Sequence, residues 1–391
     1  MNIKETMQSI AINQALKYIE GNPEENIPKL MELGDKLLPQ GWYGTQRDAI
    51  RTAIDEKNNW YQLIETVVRR TLSDIRDCPE RTIRNLIDMA LHFAEGRFER
   101  NFFSIAQHML EDEHSAYYDL IKDAAMNVDT ERALRFGMNL GYNGCALGAK
   151  TIRENEAKHH FNIPWSLSLI VDSLRFRKLE ARYHHLVTQA NELGVYTFLI
   201  RAKGRMQDVF SLIEHHKNSA FVLFCKAEEI TDSFISVLEE LPHAMVSVLM
   251  DKHADEACAL LRNHKHLYAL EIPYGAENAA SVIDGNALDT AQTLHPAFTL
   301  LTPESSCPES VSCRVYESIQ KARVAQRCRT IPMDLDHDFR VIDGIISNDA
   351  CSACFDESGV LWVNPDQPQR SAGSVFDRPI FDILRDAFPK I

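Results

Sequence analysis

Nine cysteines have the widest chemical reach in this chain of 391 residues. One CxxC pair occurs, Cys351 and Cys354, and Cys307, Cys313 and Cys328 precede it. Two such knuckles closing on one ion make a zinc site, and sets of thiolates hold iron–sulfur clusters. Here five residues separate Cys307 from Cys313, loose for a knuckle, and no cysteine follows Cys354. The expectation is free, partly buried thiols, with Cys351, Cys354, Cys307 and Cys313 the first candidates if a metal binds. Two Glu-x-x-His pairs, Glu111 with His114 and Glu156 with His159, carry the spacing of di-iron bundle ligands. Supporting glutamates are not identifiable, so surface charge is the expected role. Lys203 and Arg205 end one apolar, β-rich run, and Asp251 and His253 follow another. Ligands bind at strand C-termini in α/β folds, which makes these four residues the candidate ligand-binding set. Arg175, Arg177, Lys178, Arg182, His184 and His185 form a basic stretch beside an apolar stripe of Leu174, Leu179, Leu186, Val187 and Ala190. A solvated helix face is expected there, with a docking patch for an acidic partner as the functional alternative. Spacing assembles no Ser-His-Asp or Cys-His set, and neither a Walker loop nor a GxGxxG string occurs.

The elements that must position these residues change character along the chain. Residues up to about 160 read as successive helices, over 45–56, 59–72, 79–95, 99–110, 113–126 and 129–141, with hardly a strand signal. From Asn162-Ile163-Pro164-Trp165 onward, short β-rich runs alternate with helical stretches. The runs are 166–171, 195–200, 220–225, 244–250, 267–272, 297–301 and "TIPMDL". Strands that alternate with helices predict a parallel sheet with right-handed crossovers. The expected class is α/β: a helical domain over 1–160, a partial (β/α) barrel over 161–339 and a short extension over 340–391. In that extension "GVLWVNPDQPQ" predicts a strand running into a turn.

The formal charge of −14 gives no general attraction to nucleic acid or anionic lipid. The opening segment is charged and amphipathic, unlike a signal peptide, and no apolar run approaches a membrane span. A cytoplasmic protein with reduced thiols is the expectation.

Several strings, in order, resemble one group of radical SAM proteins, those with a helical N-terminal domain, a partial barrel and a SPASM-like C-terminal extension. They are "ALKYIEGNPEENIPKLMELGDKL", "QRDAIRTAIDEKNNWYQL" (46–63), "NIPWSLSL" (162–169), "ELGVYTFLI" (192–200) and "AFVLFCKAEEITDSFISVLEEL". The likeness is strongest over 11–72 and 160–250, with 80–128 resembling an insertion. The resemblance implies a CxxxCxxC loop after the first strand, whose thiolates hold a [4Fe–4S] cluster that binds S-adenosylmethionine. This chain departs from it: no cysteine lies between Trp165 and Glu192. The family's Gly-Gly-Glu-Pro type sequence at the second strand's end is here Ala202-Lys203-Gly204-Arg205. The "VLMDKHADEA" segment after the fourth strand is also short. The expectation is a catalytically inactive relative with no cofactor, which binds a protein or peptide, an active radical SAM enzyme among the candidates. Two alternatives stand beside it. One is an active radical SAM or iron–sulfur enzyme with non-standard ligands, carrying the cluster and S-adenosylmethionine. The other is an unrelated enzyme using Lys203, Arg205, Asp251 and His253.

Overall fold

The computed structural model describes residues 59–75, 78–94, 96–347, 349, 351–364, 367–368 and 373–390. The expected helices before residue 57 and the turn at Pro365-Asp366 lie outside the described residues. The chain divides into two compact units, Met1–Leu86 and Ile87–Ile391. In the first, α1 (Asn59–Asp74) buries Val67, and Ile75 is buried just past its end. The boundary falls inside α2 (Pro79–Phe93), which opens on a proline where the missing N–H costs little.

The second unit continues with α3 (Arg97–Met109), α4 (Ala116–Asn127), α5 (Thr130–Gly137), a π-helix (Met138–Gly148) and α6 (Ala149–His159). Ser115 and Asp129 start α4 and α5 by accepting from first-turn N–H groups that have no partner within the helix. Asn139 and Asn143 hold the π-helix, their amides donating to the carbonyls of Lys217, Ser219 and Asn218.

Strands and helices then alternate as the sequence predicts. They are β1 (Ser166–Asp172), α7 (Ser173–Leu193), β2 (Thr197–Lys203), α8 (Phe210–His215), β3 (Ala220–Cys225), α9 (Asp232–Leu238), β4 (Ala244–Leu249), α10 (Ala254–Asn263), β5 (Tyr268–Tyr274), α11 (Ala279–Ile283), α12 (Asn286–Gln292), β6 (Phe298–Pro303), α13 (Glu309–Ala325) and β7 (Ile331–Asp334). The seven strands pair in chain order, all parallel, and the sheet curls into a half-barrel.

α14 (Leu335–Ser347) leads to β8 (Ala353–Phe355), β9 (Leu361–Asn364), β10 (Gln367–Pro368) and α15 (Ile380–Ala387). β8 pairs parallel with β1, and β9 and β10 add antiparallel beyond it. The strands of the short extension expected over 340–391 continue the sheet past β1. At three residues, β8 is too short to show a period in sequence. Ile380, Ile383 and Leu384 of α15 are fully buried in the same core.

Side-chain alternation divides the sheet into two faces. Leu167, Leu169, Val171, Phe198, Ile200, Phe221 and Leu223 belong to the large core under the helices. Leu199, Val222, Phe224, Met245, Ala269 and Leu300 line the concave side, packed with Phe136. On α7 the buried residues are Ser173, Phe176, Tyr183, Leu186, Val187, Ala190 and Leu193. Leu174, expected in that stripe, is 86% exposed. Two residues from Phe176 is a rotation of about 200°, which puts Leu174 on the opposite face. No helix among the described residues is long and apolar enough to cross a membrane.

Candidate functional site

The C-terminal end of β1 is closed by its own neighbours. β1 passes into α7 with no intervening loop, because Asp172 Oδ1 caps the helix, accepting from Leu174 N (3.0 Å) and Arg175 N (3.3 Å). Ser173 Oγ accepts from Arg205 N at 3.2 Å. Gly204 sits at φ +113°, and a Cβ there would collide with that same hydroxyl, so the β2 turn fits against α7 only as glycine. Lys203 Nζ reaches Glu357 Oε1 at 2.8 Å, in the turn between β8 and β9. Since β1 lies between β8 and β2 in the sheet, this ion pair spans the end of β1. The pairing raises the Lys203 pKa and lowers that of Glu357.

The other sequence candidates are engaged locally. Arg205 pairs with Asp208 at 2.9 Å. Two strands away, Asp251 Oδ1 accepts from His253 N at 2.8 Å, and His253 Nδ1 lies 3.9 Å from Glu256. Lys203 and Arg205 therefore each have their own carboxylate, and no contact joins them to Asp251 or His253. Cys351 faces the core under the helices and Cys354 the concave side, while Cys307 lies in the turn after β6 and Cys313 on α13. Burial pushes the Cys354 thiol up to about 11 and Cys351 higher still, which favours neutral thiols over thiolate ligands. Among the described residues, no three His, Cys, Asp or Glu side chains stand together as a metal ion requires.

The Glu-x-x-His pairs also separate. Glu156, expected at the surface, is 2% exposed and accepts from Ile163 N and Lys390 Nζ. His159 instead packs at a right angle to the Phe381 ring, the centroids 4.8 Å apart. Glu111 lies past the end of α3, next to His108 and not His114.

A site that sequence reasoning missed lies on the concave face. Arg201 of β2 and Glu271 of β5 form a two-pronged ion pair at 2.5 and 3.1 Å. Thr302 Oγ1 donates to Glu271 Oε1 at 3.0 Å, and Arg201 Cζ lies 3.9 Å from the Phe224 ring centre. Glu271 is buried, whereas the Arg201 side chain keeps 41% of its surface exposed. Two of the five guanidinium N–H groups are used by Glu271, and three have no protein acceptor among the described residues. Ser247, next to Phe224 across the sheet, is fully buried, and its Oγ has no partner. The proximity of Arg201 partly offsets the burial effect on the Cys354 thiol. The arrangement offers fixed donors for a carboxylate or a carbonyl against an aromatic floor. The sequence signal was a single charge inside each of two apolar runs, "VYTFLIRA" and "LYALEIPY".

A scan of protein-family models matches none to this chain, and a search of curated proteins finds no match.

Proposed function

We propose that this chain is a non-catalytic relative of radical SAM enzymes that keeps the half-barrel as a scaffold and works as a binding or accessory protein. Its partner is a protein or peptide, with an active radical SAM enzyme one candidate. The observation that carries this reading is the closed end of β1. In the resembled enzymes, the loop after the first strand supplies the cluster thiolates. Here Asp172 caps α7 where that loop would begin, Ser173 packs on Gly204, and the Lys203–Glu357 pair lies across the opening. Residues 166–193 contain no cysteine, so the side chains present do not fit the cluster. Lys203 presents only donors where a bound methionine ammonium would need acceptors.

The concave face around Arg201 is left for binding. Its three unengaged donors suit a carboxylate or a peptide carbonyl. The kinship itself rests on the half-barrel and the likeness of 160–250, a fold-level warrant. Purification and reconstitution without oxygen, followed by iron analysis and visible spectra with and without S-adenosylmethionine, test the reading. The expected result is no bound iron and no cluster band. About four irons per chain, with a spectrum that responds to S-adenosylmethionine, would overturn it.

A further inference from the structure

The outer face of α7 carries a charge pattern that the fold does not explain. Arg175, Arg177, Lys178 and Arg182 are all exposed, and none has a carboxylate within ion-pair distance among the described residues. Leu174, Ala181, His185 and Thr188 share this face and are exposed as well. On the helical wheel, no acidic residue falls among them from Leu174 to Thr188. Glu180 lies on the side of α7 that meets α8, bonded to Ser211 and close to His184.

Two elementary effects oppose this arrangement. Like charges three and four residues apart, as in Arg175, Lys178 and Arg182, repel along a helix. Basic residues in the opening turns also face the positive end of the helix dipole, where the Asp172 cap is the one acidic side chain set against them. Leu174 adds a large apolar side chain at 86% exposure in the midst of these charges. In a chain with a net charge of −14, the cluster is a local reversal of sign. An opposite charge laid against the face relieves both effects and covers Leu174 in the same step.

We infer that the exposed face of α7 docks a partner protein through a carboxylate-rich helical segment carrying one apolar side chain for Leu174. The surface is on the opposite side of the sheet from Arg201 and Glu271, and its role does not depend on the family kinship. Complementary charge sets the association rate and orientation, and the Leu174 contact gives the complex its dry centre. The exposed Leu174 amid the charges sets this occupant apart from nucleic acid, whose phosphate backbone brings charge without an apolar side chain.

The test uses the full chain and a fluorescein-labelled helical peptide of about four turns, with glutamates spaced three and four apart and one central leucine. The expected result is saturable binding, read by anisotropy, that weakens steeply as salt rises from about 0.05 to 0.5 M. The triple variant Arg175→Glu, Lys178→Glu, Arg182→Glu should bind about tenfold or more weakly. Leu174→Ser should weaken binding several-fold with the charges intact, a loss that bulk charge attraction does not produce. Both changes lie on an exposed face, and circular dichroism checks that the fold is kept. The inference is overturned if the peptide shows no saturable binding, or if either variant binds it as well as the parent. It is also overturned if duplex RNA or phosphatidylserine vesicles bind this face in preference to the peptide. Self-association abolished by the triple variant would assign the face to a second copy, and that too overturns it.

Discussion

At the scale of single residues, the concave face is defined by one charge pair. Arg201→Ala would leave Glu271 buried without its cation, a costly state for a carboxylate. Because Arg201 is partly open to solvent, the expected loss is about 1–3 kcal/mol rather than the larger figure for a fully buried pair. Urea unfolding should record that loss, and Arg201→Ala with Glu271→Gln should recover much of it. Asp343 supplies a second prediction. Burial raises its pKa from 3.8 to about 7, even though Asp343 Oδ1 accepts from Trp165 N at 2.9 Å. Between those two values the native state holds a proton that the unfolded chain has released. Stability from this group is therefore fullest below about pH 4, declines as pH rises to about 7 and is level above it. Thermal melts of the parent and Asp343→Asn across that window should show a slope in the first that flattens in the second. Neither residue stood out in sequence as a site. Arg201 and Glu271 come from strands three apart in the sheet, and their meeting depends on the curl that brings β2 and β5 to face each other.

At the scale of elements, the β1–α7 junction is the informative joint. Asp172, Ser173 and Gly204 form one tight corner, and a side chain at Gly204 meets both a positive φ and the Ser173 hydroxyl. Gly204→Ala should destabilise by about 1–3 kcal/mol. Pairing it with Ser173→Gly removes the collision and should recover only part of the loss, since the backbone angle stays unfavourable; chemical denaturation of both variants separates the two contributions. Most of the elements were legible. β1 to β7 are runs of apolar and β-branched residues bounded by polar turns, a pattern set by burial on both faces. The lack of cysteine between Trp165 and Glu192 was equally plain, because it is read directly from the sequence. Two features were not legible. The π-helix differs from an α-helix by one residue per hydrogen-bonded ring, which composition does not encode. The phase of α7 was misread because Leu174 suits an apolar stripe by type, whereas Phe176 and Tyr183 decide which face is covered.

At the scale of the whole molecule, the C-terminal segment completes the second unit. Trp165 N reaches Asp343, Ser347 Oγ donates to Ile163 O, and Ile380 N donates to Gln189. A chain ending after Ser347 would lose β8 from the edge of β1 and α15 from the core. It should be recovered as aggregate or as an expanded species on size exclusion, since an unpaired, apolar edge strand is a template for association. Recovery of a compact monomer would mean that β8 to α15 are an appendage.

The same closure has a consequence for how the protein is made. β8, which covers the far edge of the first strand, pairs Leu167 with Ala353 and Leu169 with Phe355, far along the chain. During synthesis β1 can pair with β2 within moments, yet its other edge has no cover until β8 has left the ribosome. Folding of the half-barrel is thus bounded by the arrival of β8, as expected when long-range pairings dominate. A nascent chain of this protein carries one sticky margin from the emergence of β1 to that of β8, and its demand for chaperones should be concentrated in that interval.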